Sequence, residues 1–251
     1  MNIKNADAEY IPGLRRLWKE AFSDTDEFLD VFFSTAFASE RSFIIEEKDK
    51  VTSALYVFDC LYKEEKIAYI YAVATAKDHR GKGLCRKLME HTHKALRASG
   101  YKGAILVPGE PTLFDFYSKI GYKTCCYLNE VTDSSGSCGE PVQEISAEDF
   151  ALLRRQMLPA NVVIQEGENL EFLRAYAGFY KGDDFLFTAS NENGTLVCHE
   201  FLGNTAKIPN VLRTMGCKEG TFRTIGKERP FAMYLPFEGE DFPAHFGFAF
   251  D

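Results

Sequence analysis

Residues 71–89 read YAVATAKDHRGKGLCRKLM, and this stretch decides the fold. An apolar β-type run passes through a short loop, Arg80-Gly81-Lys82-Gly83, directly into a helical pattern whose first turn is basic. Gly81 and Gly83 can take backbone conformations closed to other residues, and they carry no side chain to keep an anion away from the main chain. The first amides of a helix have no intrahelical acceptor and sit at the positive end of its dipole. Lys77, Arg80, Lys82, Arg86 and Lys87 add local positive charge in a chain of formal net charge -8. A strand feeding a glycine loop and a helix start in this way predicts a phosphate or diphosphate site.

Two common phosphate motifs are excluded. The Walker pattern needs glycines five apart followed by Lys and Ser or Thr, and the dinucleotide fingerprint needs a third glycine where Arg86 stands. A lone Gly-x-Gly also suits an ordinary solvated helix start, so context has to decide.

The segment RGKGLC, Arg80 to Cys85, resembles the acetyl-CoA loop of the GNAT superfamily of N-acetyltransferases, with Cys85 as the departure at its last position. Val73-Ala74-Thr75 resembles the end of that family's central strand. A second segment follows: Ala104 to Val107 reads as a buried strand, and TLFDFYSKIGY (112–122) resembles the family's helix ending in Tyr, three residues, Gly and an aromatic. The resemblance covers about residues 69–122. It implies an α+β fold, a GNAT-type mixed sheet flanked by helices, with acetyl-CoA as cosubstrate. It further implies that Ala72 and Val73 pair with pantetheine, that Arg80, Gly81, Lys82, Gly83, Leu84 and Cys85 hold the diphosphate, and that Tyr117 is the general acid.

At 251 residues and 45% hydrophobic composition the chain can bury a real core and is long enough for two modest domains. Its apolar stretches are broken well short of the roughly 18 residues that span a bilayer, and MNIKNADAEY lacks an apolar signal core. A cytoplasmic protein without membrane contact is therefore expected. Seven cysteines with no Cys-x-x-Cys pair suggest reduced thiols and no metal site. His91 and His93, two apart on a helix, read as solvent-facing. The acidic balance argues against nucleic-acid binding and suits a cationic amine substrate, either a small molecule or a peptide.

Helical spacing predicts helices near 8–22 and 26–37, and the aromatic stripe of Trp18, Phe28 and Phe32 reads as core. Strands at 42–46, 51–62 and 66–74 read as an antiparallel meander with polar turns. A helix over 84–98 leads to a strand expected to pair parallel to 66–74. TDSSGSCGEP (132–141) reads as a linker between a catalytic domain at 1–133 and a second, smaller α+β domain at 140–251. The latter predicts helices at 147–157, 169–180 and 208–215 and strands at 184–189, 195–202, 221–225 and 231–236. Its order echoes the first domain without an Arg-Gly-x-Gly loop, as in acetyltransferases of the enhanced-intracellular-survival type.

Acetyl transfer to a primary amine needs a partner for the oxyanion, a proton for the leaving thiolate and a route for the ammonium proton. Tyr117 is the candidate acid. Asp59, Glu110, Tyr69, Tyr71 and the terminal Asp251 carboxylate are the open choices for a base, and water-mediated deprotonation needs no single one. Without a readable base, a non-catalytic acyl-CoA sensor is the alternative reading.

Overall fold

The computed structural model describes residues 1–250, so the terminal carboxylate of Asp251 lies outside the described residues. Two compact units emerge, one of residues 1–123 with 233–241 and the other of residues 124–232 with 242–251.

In chain order, the first half comprises β1 (Asn2–Asn5), α1 (Ile11–Phe22), α2 (Asp26–Thr35), β2 (Ser42–Glu47), β3 (Lys50–Tyr62), β4 (Glu65–Thr75), α3 (Leu84–Ala98), β5 (Gly103–Leu106) and α4 (Pro111–Ser118). The second comprises β6 (Lys123–Ser134), β7 (Gln143–Glu144), α5 (Ala147–Met157), β8 (Val163–Ile164), α6 (Glu168–Arg174), β9 (Gly178–Lys181), β10 (Phe185–Glu192), β11 (Thr195–Gly203), α7 (Ile208–Thr214), β12 (Glu219–Ile225) and β13 (Arg229–Pro236).

In the first unit the helices form where apolar residues recur on one face. α1 buries Leu14, Leu17 and Trp18. Trp18 and Phe32 are fully enclosed with ring centroids 4.6 Å apart, so these two of the stripe are core while Phe28 is half-buried, and the indole N–H donates to Asp24 at 2.7 Å. Thr25 caps α2 by accepting from the Phe28 amide at 3.3 Å, and Asp26 and Glu27 in the first turn complement the dipole. Thr25→Ala is expected to cost about 1 kcal/mol in a urea titration.

Strands β2, β3 and β4 form the predicted meander. Lys48-Asp49 and Lys63-Glu64 turn its corners with positive φ at both residues, the geometry whose twist matches flanking strands. Helix α3 carries the chain to β5, which pairs parallel to β4 through Ala68↔Ala104 and Tyr69↔Ile105. The core between α3 and the sheet gathers Leu55, Val57, Ile70, Leu88, Leu96, Tyr117 and Tyr122.

The second unit repeats this order. The first runs β1-β2-β3-β4-β5 and the second β7-β9-β10-β11-β12; in both, the last two strands are parallel and joined by a helix. A sixth strand then completes each sheet. β6, which follows α4, lies antiparallel to β12, with Leu128 opposite Ile225. The latter part of β13, which follows β12, lies antiparallel to β5, with Met233 opposite Leu106. Against a division at 133–140, β6 falls in the second unit and the latter part of β13 in the first, which no single cut can express. Residues 135–140, read as a linker, are tied into the second unit: Ser135 donates to the Lys218 carbonyl, Gly136 to that of Pro209, and Glu140 pairs with Lys207 at 2.8 Å.

The helix expected over 169–180 ends at Arg174, because Gly178–Lys181 is taken by β10 as a strand partner. The tail Phe246–Phe250 is buried without regular structure. Gln165 accepts from the Phe248 amide and donates to its carbonyl, replacing a ladder there. Beside it Arg154 clasps Glu200 through two hydrogen bonds at 2.6 and 2.9 Å, and His245 reaches the same carboxylate at 3.3 Å. Among the described residues no helix is long and apolar enough to cross a membrane.

Candidate active site

The loop singled out from sequence lies in the first unit, between β4 and α3. After β4, a single helical turn at Lys77–His79 leads to Arg80. The Arg80 guanidinium bonds back to the Thr75 carbonyl at 3.0 Å, and Lys82 Nζ donates to the Asp78 carbonyl at 2.7 Å, so these cations brace the loop they belong to. Gly81 and Gly83 have φ of 75° and 73°, and a Cβ on either would meet nothing within 4 Å. Their requirement is therefore conformational, and the space above them is open.

Gly83 is the N-cap of α3, and no side chain caps that end. Nor is there an acidic residue in the first turn. Its leading amides face outward beside exposed Arg86 and Lys87, a combination suited to an anion. Leu84 points the other way, into the core, and Cys85 is half-buried against the same core. Burial pushes the Cys85 thiol up to about 11, which keeps it a thiol at neutral pH.

Upstream, β4 carries a bulge. Ala54 faces Ala74 and Tyr56 faces Tyr71, so Ala72 and Val73 together oppose Leu55. Ala72 absorbs the extra residue with φ of 47°, an unusual conformation for a side-chain-bearing residue in a strand. Beyond Tyr69 and Ile105 the parallel strands β4 and β5 no longer pair. The bulge and this divergence lie together, so the strand turns aside just where its main chain approaches the glycine loop.

Tyr117 sits on α4, 7% exposed, packed edge-on against Phe116 and Tyr122. Burial, reinforced by nearby Cys85, raises its phenol above the ordinary value of 10. No described residue hydrogen-bonds its hydroxyl. The structure therefore brings Cys85 and Tyr117 together in one core beside the loop, with Arg80, Lys82 and the two glycines on the exposed side.

The base candidates scatter. Asp59 is engaged by the Tyr101 hydroxyl at 2.6 Å and by Lys66 at 2.9 Å. Glu110 is exposed at the start of α4, and Tyr69 is buried in an aromatic cluster with Phe58. Tyr71, half-buried, faces Trp18 and Phe32. One site feature went unseen in sequence. His93, expected in solvent, is buried and bonded to the Tyr122 hydroxyl at 2.8 Å, because helical spacing puts it on the α3 face of Met89 and Leu96 while His91 stays exposed. Its spacing from buried Met89 and Leu96 was the available signal.

A GNAT acetyltransferase domain matches residues 2–125. No curated protein matches the chain. Among solved structures, a GCN5-related N-acetyltransferase from Anabaena variabilis is 15% identical over 93% of this chain and 72% of its own, with a TM-score of 0.73. One from Kribbella flavida gives 14%, 93%, 70% and 0.70. Eis1 from Mycobacterium abscessus gives 9%, 94%, 74% and 0.66. At these identities the likeness is one of fold, and it extends over both units. Residues 2–125, with their bulged central strand, glycine loop and crossover helix, are a GNAT acetyltransferase domain.

Proposed function

We propose that the first unit binds acetyl-CoA and transfers its acetyl group to a primary amine. The diphosphate lies on the amides of Arg80 to Cys85, and pantetheine pairs with the main chain of Ala72 and Val73. The observation that carries this reading is the uncapped start of α3 behind two left-handed glycines with open space above them, on the chain that leaves β4 after its pairing with β5 has ended. An amide of the bulged strand stabilises the thioester oxyanion, commonly the largest catalytic contribution. Tyr117, protonated and without a protein acceptor for its hydrogen, returns a proton to the departing thiolate. Because Asp59 is held in ion pairs and Glu110 stands exposed, water carries away the ammonium proton. The second unit, whose loop between β11 and α7 reads Gly203-Asn204-Thr205-Ala206-Lys207, supplies no second cofactor site.

Titration calorimetry with acetyl-CoA tests the cofactor, and thiol release in mixtures of polyamines, amino acids and aminoglycosides tests turnover. Gly83→Val, which strains the left-handed position and places a side chain where the diphosphate would rest, is expected to weaken acetyl-CoA binding at least tenfold. Full binding by that variant, or no heat with the parent protein, would remove the assignment. Heat without thiol release would instead favour an acyl-CoA sensor.

A further inference from the structure

The hydroxyl of Tyr117 has no hydrogen-bond partner among the described residues, so ring packing alone sets where it points. Two rings belong to that packing, beside the aliphatic side chains of the same core: Phe116, at 5.2 Å and 74°, and Tyr122, at 5.9 Å and 67°. Phe116 is the neighbouring residue on the same short helix and moves with it. Tyr122 is different. It follows the turn at Gly121, is 1% exposed, and has its far end fixed by the 2.8 Å hydrogen bond to His93 Nε2 on α3. His93 is itself enclosed, with the Phe237 ring 5.9 Å away. The wall against which Tyr117 rests is therefore anchored to the helix that begins at the glycine loop.

Burial, with Arg97 adding to it, lowers the His93 imidazole to about 4, so the ring is neutral at physiological pH and holds the tyrosine as a neutral partner. A phenylalanine at 122 would fill the same volume, and packing alone gives no reason for the hydroxyl. A buried hydroxyl and a buried imidazole each cost desolvation that an apolar pair avoids. Their presence one ring away from the candidate acid calls for a role.

We propose that His93 and Tyr122 are positioning residues for acetyl transfer, a hydrogen-bonded pair that ties α3 to the Tyr117 ring and holds the phenol at the angle from which it protonates the leaving thiolate. The proposal rests on the reading of Tyr117 as general acid. Neither residue touches the reacting atoms. Losing the tether lets the Tyr117 ring tilt, and small misplacements of a catalytic group are costly.

The test is a double-mutant cycle on the full chain, with kcat and the KM for acetyl-CoA measured by thiol release and folding checked by thermal unfolding. Tyr122→Phe is expected to lower kcat about tenfold with KM unchanged. Tyr117→Phe is expected to lower it about 100-fold, and the double variant to lose no more than Tyr117→Phe alone, since the pair acts through Tyr117. His93→Gln, which keeps an acceptor, should retain most of kcat, whereas His93→Leu should behave as Tyr122→Phe. A merely structural pair would lower the unfolding temperature and leave the kinetic losses additive. If Tyr117→Phe is impaired while Tyr122→Phe is not, or the two losses add, the positioning proposal is overturned and the acid stands. An unimpaired Tyr117→Phe overturns both.

Discussion

Arg154→Leu is expected to destabilise the second unit by about 3–5 kcal/mol, the cost of leaving a buried carboxylate without its partner. Arg154 and Glu200 are 1% and 2% exposed, and the guanidinium also lies over the Phe248 ring at 5.1 Å. A Cβ at Gly247 would meet Arg154 at 2.1 Å and Glu200 at 2.2 Å, so the tail approaches the pair as closely as glycine allows. Burial alone would raise the Glu200 carboxyl, but Arg154 and His245 outweigh it and hold it at about 2. A carboxyl depressed from 4.5 to about 2 contributes stability that is fully present above pH 4.5 and is lost as the pH falls toward 2. Glu200→Gln should therefore show a shallower loss of stability across that window than the parent. Chemical unfolding followed by circular dichroism at pH 7 and pH 3 reads both effects. Replacing both partners by apolar residues, as in Arg154→Met with Glu200→Leu, should recover much of the loss. An Arg154→Leu protein as stable as the parent would show that the tail is held by its phenylalanines alone.

Tyr117→Phe is expected to reduce the turnover number for acetyl transfer by about 100-fold or more, with the KM for acetyl-CoA nearly unchanged. The substitution removes one oxygen from a ring packed on Tyr122 and Phe116, so the core keeps its volume. The pH profile offers a second readout. Because burial and Cys85 raise the phenol above its ordinary value of 10, the acid stays protonated through mildly alkaline pH. Activity of the parent should not fall between pH 7 and 9 through loss of this proton. A decline there that persists in Tyr117→Phe would assign the titration elsewhere, one that disappears in the variant would assign it to Tyr117 and contradict the raised phenol, and unchanged turnover in the variant would remove Tyr117 from the mechanism.

What could be read from the residues alone is local. The β-run, glycine loop and basic helix start lie within twenty residues, and their roles depend on properties each carries by itself: glycine's access to positive φ, the free amides of a helix start and the spacing of buried positions on α3. The meander and its polar corners were likewise legible, since alternation and polar turns are short-range signals, though Lys50 and Glu65 belong to the strands and the turns are two residues long.

The strand exchange was not. β6 spans a segment whose C-terminal end reads as a polar linker, and its residues become a strand because β12 offers unpaired backbone beside them. β13 likewise completes a sheet begun more than a hundred residues earlier. The His93–Tyr122 bond and the Arg154–Glu200–His245 cluster belong to the same class. Each joins residues at least 29 positions apart, whose burial is set by where whole elements dock. Sequence by itself determined the early helices, the meander and the strand, glycine loop and helix that follow it. Only the tertiary structure decided which strand closes each sheet and which polar groups are enclosed, because hydrogen-bond partners and burial are properties of the assembled core and of no single stretch of chain.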